Sequence, residues 1–236
     1  MTRITRLYLA LATLASPAAV PGQATPWMLG PFEKPTQVNP VIAPSAAATF
    51  LSPMTDSVVK WEELATFNPA AVVKDGKVYV LYRAEDASGK TEIGFHTSRL
   101  GLAESNDGLR FTRRPTPVLY PDKDAQARYE WTGGVEDPRI VETEDHSYVL
   151  TYTQWNRDVP RLAVATSKDL VHWTKHGPAF ARAESGKYLR LETKSGAIVT
   201  RMEGDHLVAT RVNGKYWMYF NVPDIMLATS DNLVDW

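Results

Sequence analysis

The chain has 236 residues, 44% of them apolar and 22% charged, a composition that excludes a disordered polar tail. Its formal charge of −1 provides no basic excess for nucleic acid or an anionic membrane. The absence of cysteine excludes a disulfide framework, a thiolate metal site and a lipid-anchored N-terminal cysteine.

In chain order, the first predicted element is a leader. Arg3 and Arg6 precede the apolar run Leu7–Ala15, followed by Pro17 and the small-residue stop Gly22-Gln23-Ala24. This is the layout of a secretory signal, and its apolar run is too short to span a bilayer. The expectation is a cleaved signal peptide over residues 1–24, an exported (periplasmic or secreted) protein without membrane insertion, and one domain over residues 25–236.

The next elements repeat. Val72–Val73 and Val78–Tyr82 flank Asp75-Gly76, Val208 and Tyr216–Tyr219 flank Asn213-Gly214, and Ile140 and Ser147–Tyr152 flank the weaker Asp145-His146. Apolar runs joined by Asp-Gly or Asn-Gly predict hairpins, because the turn needs positive φ at both central residues. Each hairpin is followed by a third run (Ile93–Ala103, Arg161–Ala165, Asp224–Ala228) and a serine turn ending in an aromatic residue. These turns are Ser105-Asn106-Asp107 to Phe111, Ser167-Lys168-Asp169 to Trp173, and Ser230-Asp231-Asn232 to Trp236. A unit recurring about every 60 residues, with four strands and no amphipathic helix, predicts an all-β fold of β-propeller blades. Pro40-Val41-Ile42 and Pro117-Val118-Leu119 mark where blades join. Three units are visible and a propeller closes with about four or more. The chain therefore reads as the N-terminal part of a single propeller domain, truncated to about three blades.

Register then collects polar residues at one mouth. Seven or eight residues ahead of the hairpin turns stand Asn68, Asp137 and His206. After the second strands come Arg83, Glu85 and Asp86, then Asn156 and Arg157; at the starts of the third strands come Arg99, Arg161 and Asp224. Trp131, Trp155 and Phe67 flank this set as sugar-stacking faces, so a carbohydrate site is expected. The serines and aspartates of the repeated turns are expected to cap those turns, and the hairpin tyrosines to fill the core. The five histidines are scattered without ligand spacing, and no metal is implied.

Four ordered motifs resemble glycoside hydrolase family 130: Phe67-Asn68-Pro69-Ala70-Ala71, Leu81-Tyr82-Arg83-Ala84-Glu85-Asp86, Ser98-Arg99-Leu100-Gly101-Leu102-Ala103 and Gly133-Gly134-Val135-Glu136-Asp137-Pro138-Arg139. The resemblance runs from about Asn39 onward. It implies a five-bladed propeller of the β-mannoside phosphorylases and β-mannosidases, acting with inversion on a mannose-containing oligosaccharide. It further implies that Asp137 is the proton donor and that Asn68 and Arg83 hold the mannosyl unit. Phosphate would be bound by Arg99, Asn156, Arg157, His206 and Lys194.

The chemistry agrees with such a site. A glycosidic bond needs a proton at the leaving oxygen and a nucleophile on the opposite face. Phosphate needs cations but no protein base, whereas water needs a carboxylate base. Several basic groups around one acid favour phosphorolysis to mannose 1-phosphate, with inorganic phosphate as co-substrate and no other cofactor. A second inward carboxylate, among Glu85, Asp86 and Glu192, would favour hydrolysis. A non-catalytic sugar-binding propeller is the remaining alternative. An arabinan-type glycosidase would need three carboxylates at the mouth. The sequence assigns no oligomeric state.

Overall fold

A computed structural model describes residues 30–236 except Thr91 and Ile93. The expected leader over residues 1–24 lies outside the described residues. The chain divides into two compact units, Met1–Lys34 and Pro35–Trp236, and the blades belong to the second.

A two-stranded ribbon, β1 (Phe50–Ser52) and β2 (Ser57–Val59), precedes the first blade. That blade is the antiparallel series β3 (Ala65–Lys74), β4 (Lys77–Glu85), β5 (Ser98–Ser105) and β6 (Thr112–Arg113). Asp75 and Gly76 turn β3 into β4 with φ of 50° and 71°, the paired positive values that a tight hairpin requires. The third run, expected from Ile93, enters the sheet only at Ser98. Leu119 bridges back to Leu100 where the first blade gives way to the second.

After one helical turn, α1 (Ala127–Glu130), the second blade repeats the pattern as β7 (Gly134–Glu142), β8 (Tyr148–Trp155), β9 (Pro160–Ser167) and β10 (Thr174–Pro178). Its Asp145-His146 turn is looser, as its sequence suggested. Only His146 is left-handed, at φ 59°, and Thr143 closes the longer loop by donating from Oγ1 to the Ser147 carbonyl.

The third blade departs from the expected register. β11 (Ala197–Ile198) pairs with the strand that follows the Asn213-Gly214 turn. Between Thr200 and Ala209 the chain leaves the sheet as a hairpin of β12 (Thr200–Glu203) and β13 (His206–Ala209). It rejoins as β14 (Arg211–Val212), which pairs with the same strand, β15 (Lys215–Phe220), and β15 pairs in turn with β16 (Met226–Ser230). β11 and β14 are thus two parts of one inner strand. β13 lies parallel to β7 with Val208 opposite Glu142.

Each strand alternates its side chains between two faces, and in blades one and two both faces are covered. Leu81 and Leu100 of blade one meet Val135, Leu150 and Tyr152 of blade two. Val149, Leu162 and Val164, on the opposite face of blade two, meet Ile198, Met218 and Phe220 of blade three. Tyr82 and Ala84 face a third cluster with Trp61. Tyr82, Tyr148 and Tyr152 are buried as expected, but Tyr219 is exposed, on the face of β15 turned away from the blade two contact. The serine turns are structural in all three blades. Ser105, Ser167 and Ser230 each accept backbone N–H groups two and three residues on, and Asp107, Asp169 and Asn232 do the same.

Blades one and two meet at one parallel bridge, Ser98 opposite Gly134. Gly134 has φ 106°, and a Cβ there would stand 2.1 Å from the Ser98 carbonyl oxygen. Gly134→Ala is therefore expected to cost about 1–3 kcal/mol from backbone strain alone, with the clash added to it. Calorimetry should show a fall in Tm of about 2–4 °C for each kcal/mol. An unchanged Tm would refute this tight approach of β5 to β7.

Candidate active site

The inner strand of every blade carries a bulge at the same level. In β3 one extra residue separates the pairs Phe67–Arg83 and Ala70–Leu81, and Asn68 is left-handed at φ 45°. In β7 the same break falls between Glu136–Thr153 and Arg139–Thr151, with Asp137 at φ 50°. Blade three repeats it ahead of β11: Lys194 accepts the Asn221 N–H, Ala197 pairs with Tyr219, and Ser195 between them has φ 57°. Pro69 and Pro138 lack the N–H that a ladder position would need, while Asn and Asp tolerate the left-handed region, so Asn-Pro and Asp-Pro encode the bulges locally.

A bulge breaks the alternation of side chains, and Phe67 with Asn68, and Glu136 with Asp137, turn consecutive residues to one cavity of about 420 Å³. Phe67, Trp155 and Pro160 form its apolar wall; Asn68, Arg83, Glu85, Glu136, Asp137 and Lys194 supply the polar groups. Trp155 is fixed by donating from Nε1 to the Gly94 carbonyl at 2.8 Å.

Arg83 is the hub. Nη1 meets Asp137 Oδ1 at 3.1 Å, Nη2 meets Glu85 Oε1 at 2.6 Å and Glu136 Oε1 at 2.9 Å, and Nε donates to Ser98 Oγ at 3.0 Å. The guanidinium also lies 4.6 Å from the centre of the Phe67 ring. Burial disfavours the Arg83 charge, but the Glu136, Asp137 and Glu85 carboxylates outweigh it and hold the group above its ordinary value. Asp137 Oδ1 accepts a second hydrogen bond, from Asn68 Nδ2 at 2.8 Å. Glu136 is different. Its Oε1 lacks hydrogen-bonding geometry to any donor among the described residues. Burial pushes its pKa up to about 7, Arg83 opposes this, and Asp137 and Glu85 add to it.

Asn68, Arg83, Glu85, Asp137, Trp155 and Lys194 therefore converge as their sequence positions implied. Others do not. Arg99 is buried on the opposite face of its strand: it pairs with Ala84 rather than Arg83, and Nη1 binds Asp86 Oδ2 at 2.6 Å near the Phe50 ring. Asp86 is consumed by that pair and by Ser88. Asn156 caps the β8–β9 turn, its Oδ1 accepting the Asp158 and Val159 N–H groups and its Nδ2 donating to the Arg128 carbonyl. Arg157 is exposed and donates to the Phe95 carbonyl. Trp131 closes α1 and is not part of the cavity wall.

His206 is the largest displacement. The Thr200–Ala209 excursion carries it to the far end of β7, where Nδ1 meets Glu142 Oε2 at 2.5 Å. Ser195 occupies the level that counting back from Asn213 assigned to His206. Arg161 binds the Leu189 and Val159 carbonyls. Glu136, Ser98, Thr153 and Pro160 escaped sequence reasoning. Glu136 stands inside the Glu-Asp-Pro-Arg motif, and a bulge at Asp137 is the signal that would have turned it inward.

The sequence model described as beta-1,4-mannooligosaccharide phosphorylase, that of glycoside hydrolase family 130, matches residues 36–236. The chain belongs to glycoside hydrolase family 130. A curated relative in the family, 1,2-beta-oligomannan phosphorylase of Thermoanaerobacter sp. (strain X514), is 34% identical over 181 residues, covering 75% of this chain and 53% of the relative. A glycosyl hydrolase structure from Bacteroides ovatus is 53% identical with a TM-score of 0.88, over 91% of this chain and 59% of that one. A second structure, also 53% identical (TM-score 0.87, 90% and 59% covered), is described with the finding that this family of mannoside phosphorylases contains glycoside hydrolases targeting beta-1,2 mannosidic linkages in Candida mannan. This family 130 chain spans about half the length of the curated relatives it matches. Its blades are therefore those of a propeller enzyme family.

Proposed function

We propose that this protein cleaves β-mannosidic bonds with inversion, with Asp137 giving its proton to the leaving oxygen while inorganic phosphate attacks the anomeric carbon from the opposite face. The carbon–oxygen bond to the leaving sugar breaks as the carbon–phosphate oxygen bond forms, yielding α-mannose 1-phosphate. The observation that carries this reading is Asp137 itself, presented to the cavity by a left-handed bulge, bound through Oδ1 to Asn68 and Arg83, and facing the Trp155 wall. A positioned acid contributes about 10² to 10⁴ in rate. Lys194, which lines the same cavity, is the cation available to hold phosphate in line. Phosphorylase relatives support this choice of acceptor. The leader pattern supports export of the enzyme.

Hydrolysis is a second reading, favoured by a specific observation. Arg99 and Arg157 are turned away from the cavity, while Glu85 and Glu136 join Asp137 in it. The hydrolases described with a 53% identical structure point the same way. Incubation with a β-1,2-linked mannooligosaccharide separates the readings. Mannose 1-phosphate formed only when phosphate is present is the expected result. Free mannose released equally fast with and without phosphate would overturn phosphorolysis, and binding without any product would leave a sugar-binding propeller.

A further inference from the structure

Glu136 is the cavity group to which a single proton donor assigns no task. It and Asp137 meet the same guanidinium from adjacent positions of β7, at 2.9 Å and 3.1 Å. Glu85 takes the same Nη2 at 2.6 Å, so three carboxylates converge on one arginine. The charged groups facing Glu136 are Arg83 and Glu85 from β4, Asp137 from β7 and Lys194 from the segment ahead of β11. Carboxylates this close in a buried site resist joint ionisation. Donors decide which of them keeps a proton. Glu85 accepts from Arg83 and Ser98, Asp137 accepts from Asn68 and Arg83, and Glu136 Oε1, although ion-paired with Arg83, accepts from no donor in hydrogen-bonding geometry among the described residues.

We propose that Glu136 and Asp137 share one proton, Glu136 being the positioning residue that keeps the cluster singly protonated at neutral pH and so keeps Asp137 supplied as an acid. The inference rests on the reading of Asp137 as proton donor. In the step itself the O–H bond on Asp137 breaks and one forms at the leaving oxygen. Both carboxylates are then ionised against Arg83, and the cluster regains one proton from solvent before the next turnover. Burial, which pushes Glu136 up to about 7, agrees with a proton resident there near neutrality.

The test is the pH profile of kcat/KM on a β-1,2-linked mannooligosaccharide for the wild type, E136Q and E136D, together with an infrared pH titration of the carboxyl band. E136Q should move the alkaline limb to lower pH by about one unit or more, and E136D should hold it near its wild-type position. A protonated-carboxyl band titrating near neutrality should vanish in E136Q. An unmoved limb, or an equal loss at every pH with the band retained, overturns the proposal. If the wild type cleaves no mannoside, or D137N keeps its rate, the proton-donor reading fails instead. The infrared titration then still decides whether Glu136 holds a proton.

Discussion

Asp137→Asn should lower kcat for mannoside cleavage by about 10² to 10⁴-fold while leaving KM within a few-fold of wild type. Asparagine tolerates the left-handed backbone of position 137, and its amide oxygen can still accept from Asn68 Nδ2 and Arg83 Nη1. What it cannot do is surrender a proton to the leaving oxygen. An aryl mannoside with an acidic phenol as leaving group needs that proton less, so the variant should retain a larger share of its rate on that substrate. A rate within tenfold of wild type on the oligosaccharide, with no dependence on the leaving group, would remove Asp137 from the mechanism.

Arg83→Met should be damaging twice over. The residue is 6% exposed and answers Glu85, Glu136 and Asp137 together. Removing one partner from a buried charge cluster costs about 3–5 kcal/mol, because the remaining charges lose their compensation. For a chain of this size that is a fall in Tm on the order of 10 °C. The sign with pH follows from linkage. Carboxylates without their cation bind protons more tightly folded than unfolded, so the folded state carries the extra protons and stability falls as pH rises through their folded pKa values. The deficit should thus be largest above neutrality and shrink on acidification toward pH 4. Activity should fall with it, since Asp137 loses one of the two donors that orient its Oδ1. A Tm deficit that grows on acidification would contradict the cluster as described.

The blades and half of the cavity were legible in the sequence for local reasons. Asp75-Gly76 and Asn213-Gly214 dictate their own φ values, the serine turns close on their own N–H groups, and Asn68-Pro69 and Asp137-Pro138 can hardly avoid a bulge. The failures are those of counting. Counting back from Asn213 assumed an unbroken inner strand, but the chain leaves the sheet at Thr200 and returns at Arg211, so His206 moved to the far end and Ser195 took its level. Arg99 stands at the expected start of β5 but on the face turned from the cavity, because it pairs with Ala84 rather than Arg83. Asn156 and Arg157 stand in a turn, where side chains serve the turn's own carbonyls and N–H groups first.

The left-handed residue at the bulge of each inner strand limits what this scaffold can display there. That backbone conformation is open to asparagine and aspartate far more readily than to β-branched or bulky side chains. Asn68, Asp137 and Ser195 accordingly stand at three sockets of the same backbone shape, which favours short polar plugs. New chemistry on this ring is most easily written by trading one such plug for another, since each exchange alters what the substrate meets and leaves the surrounding ladder undisturbed.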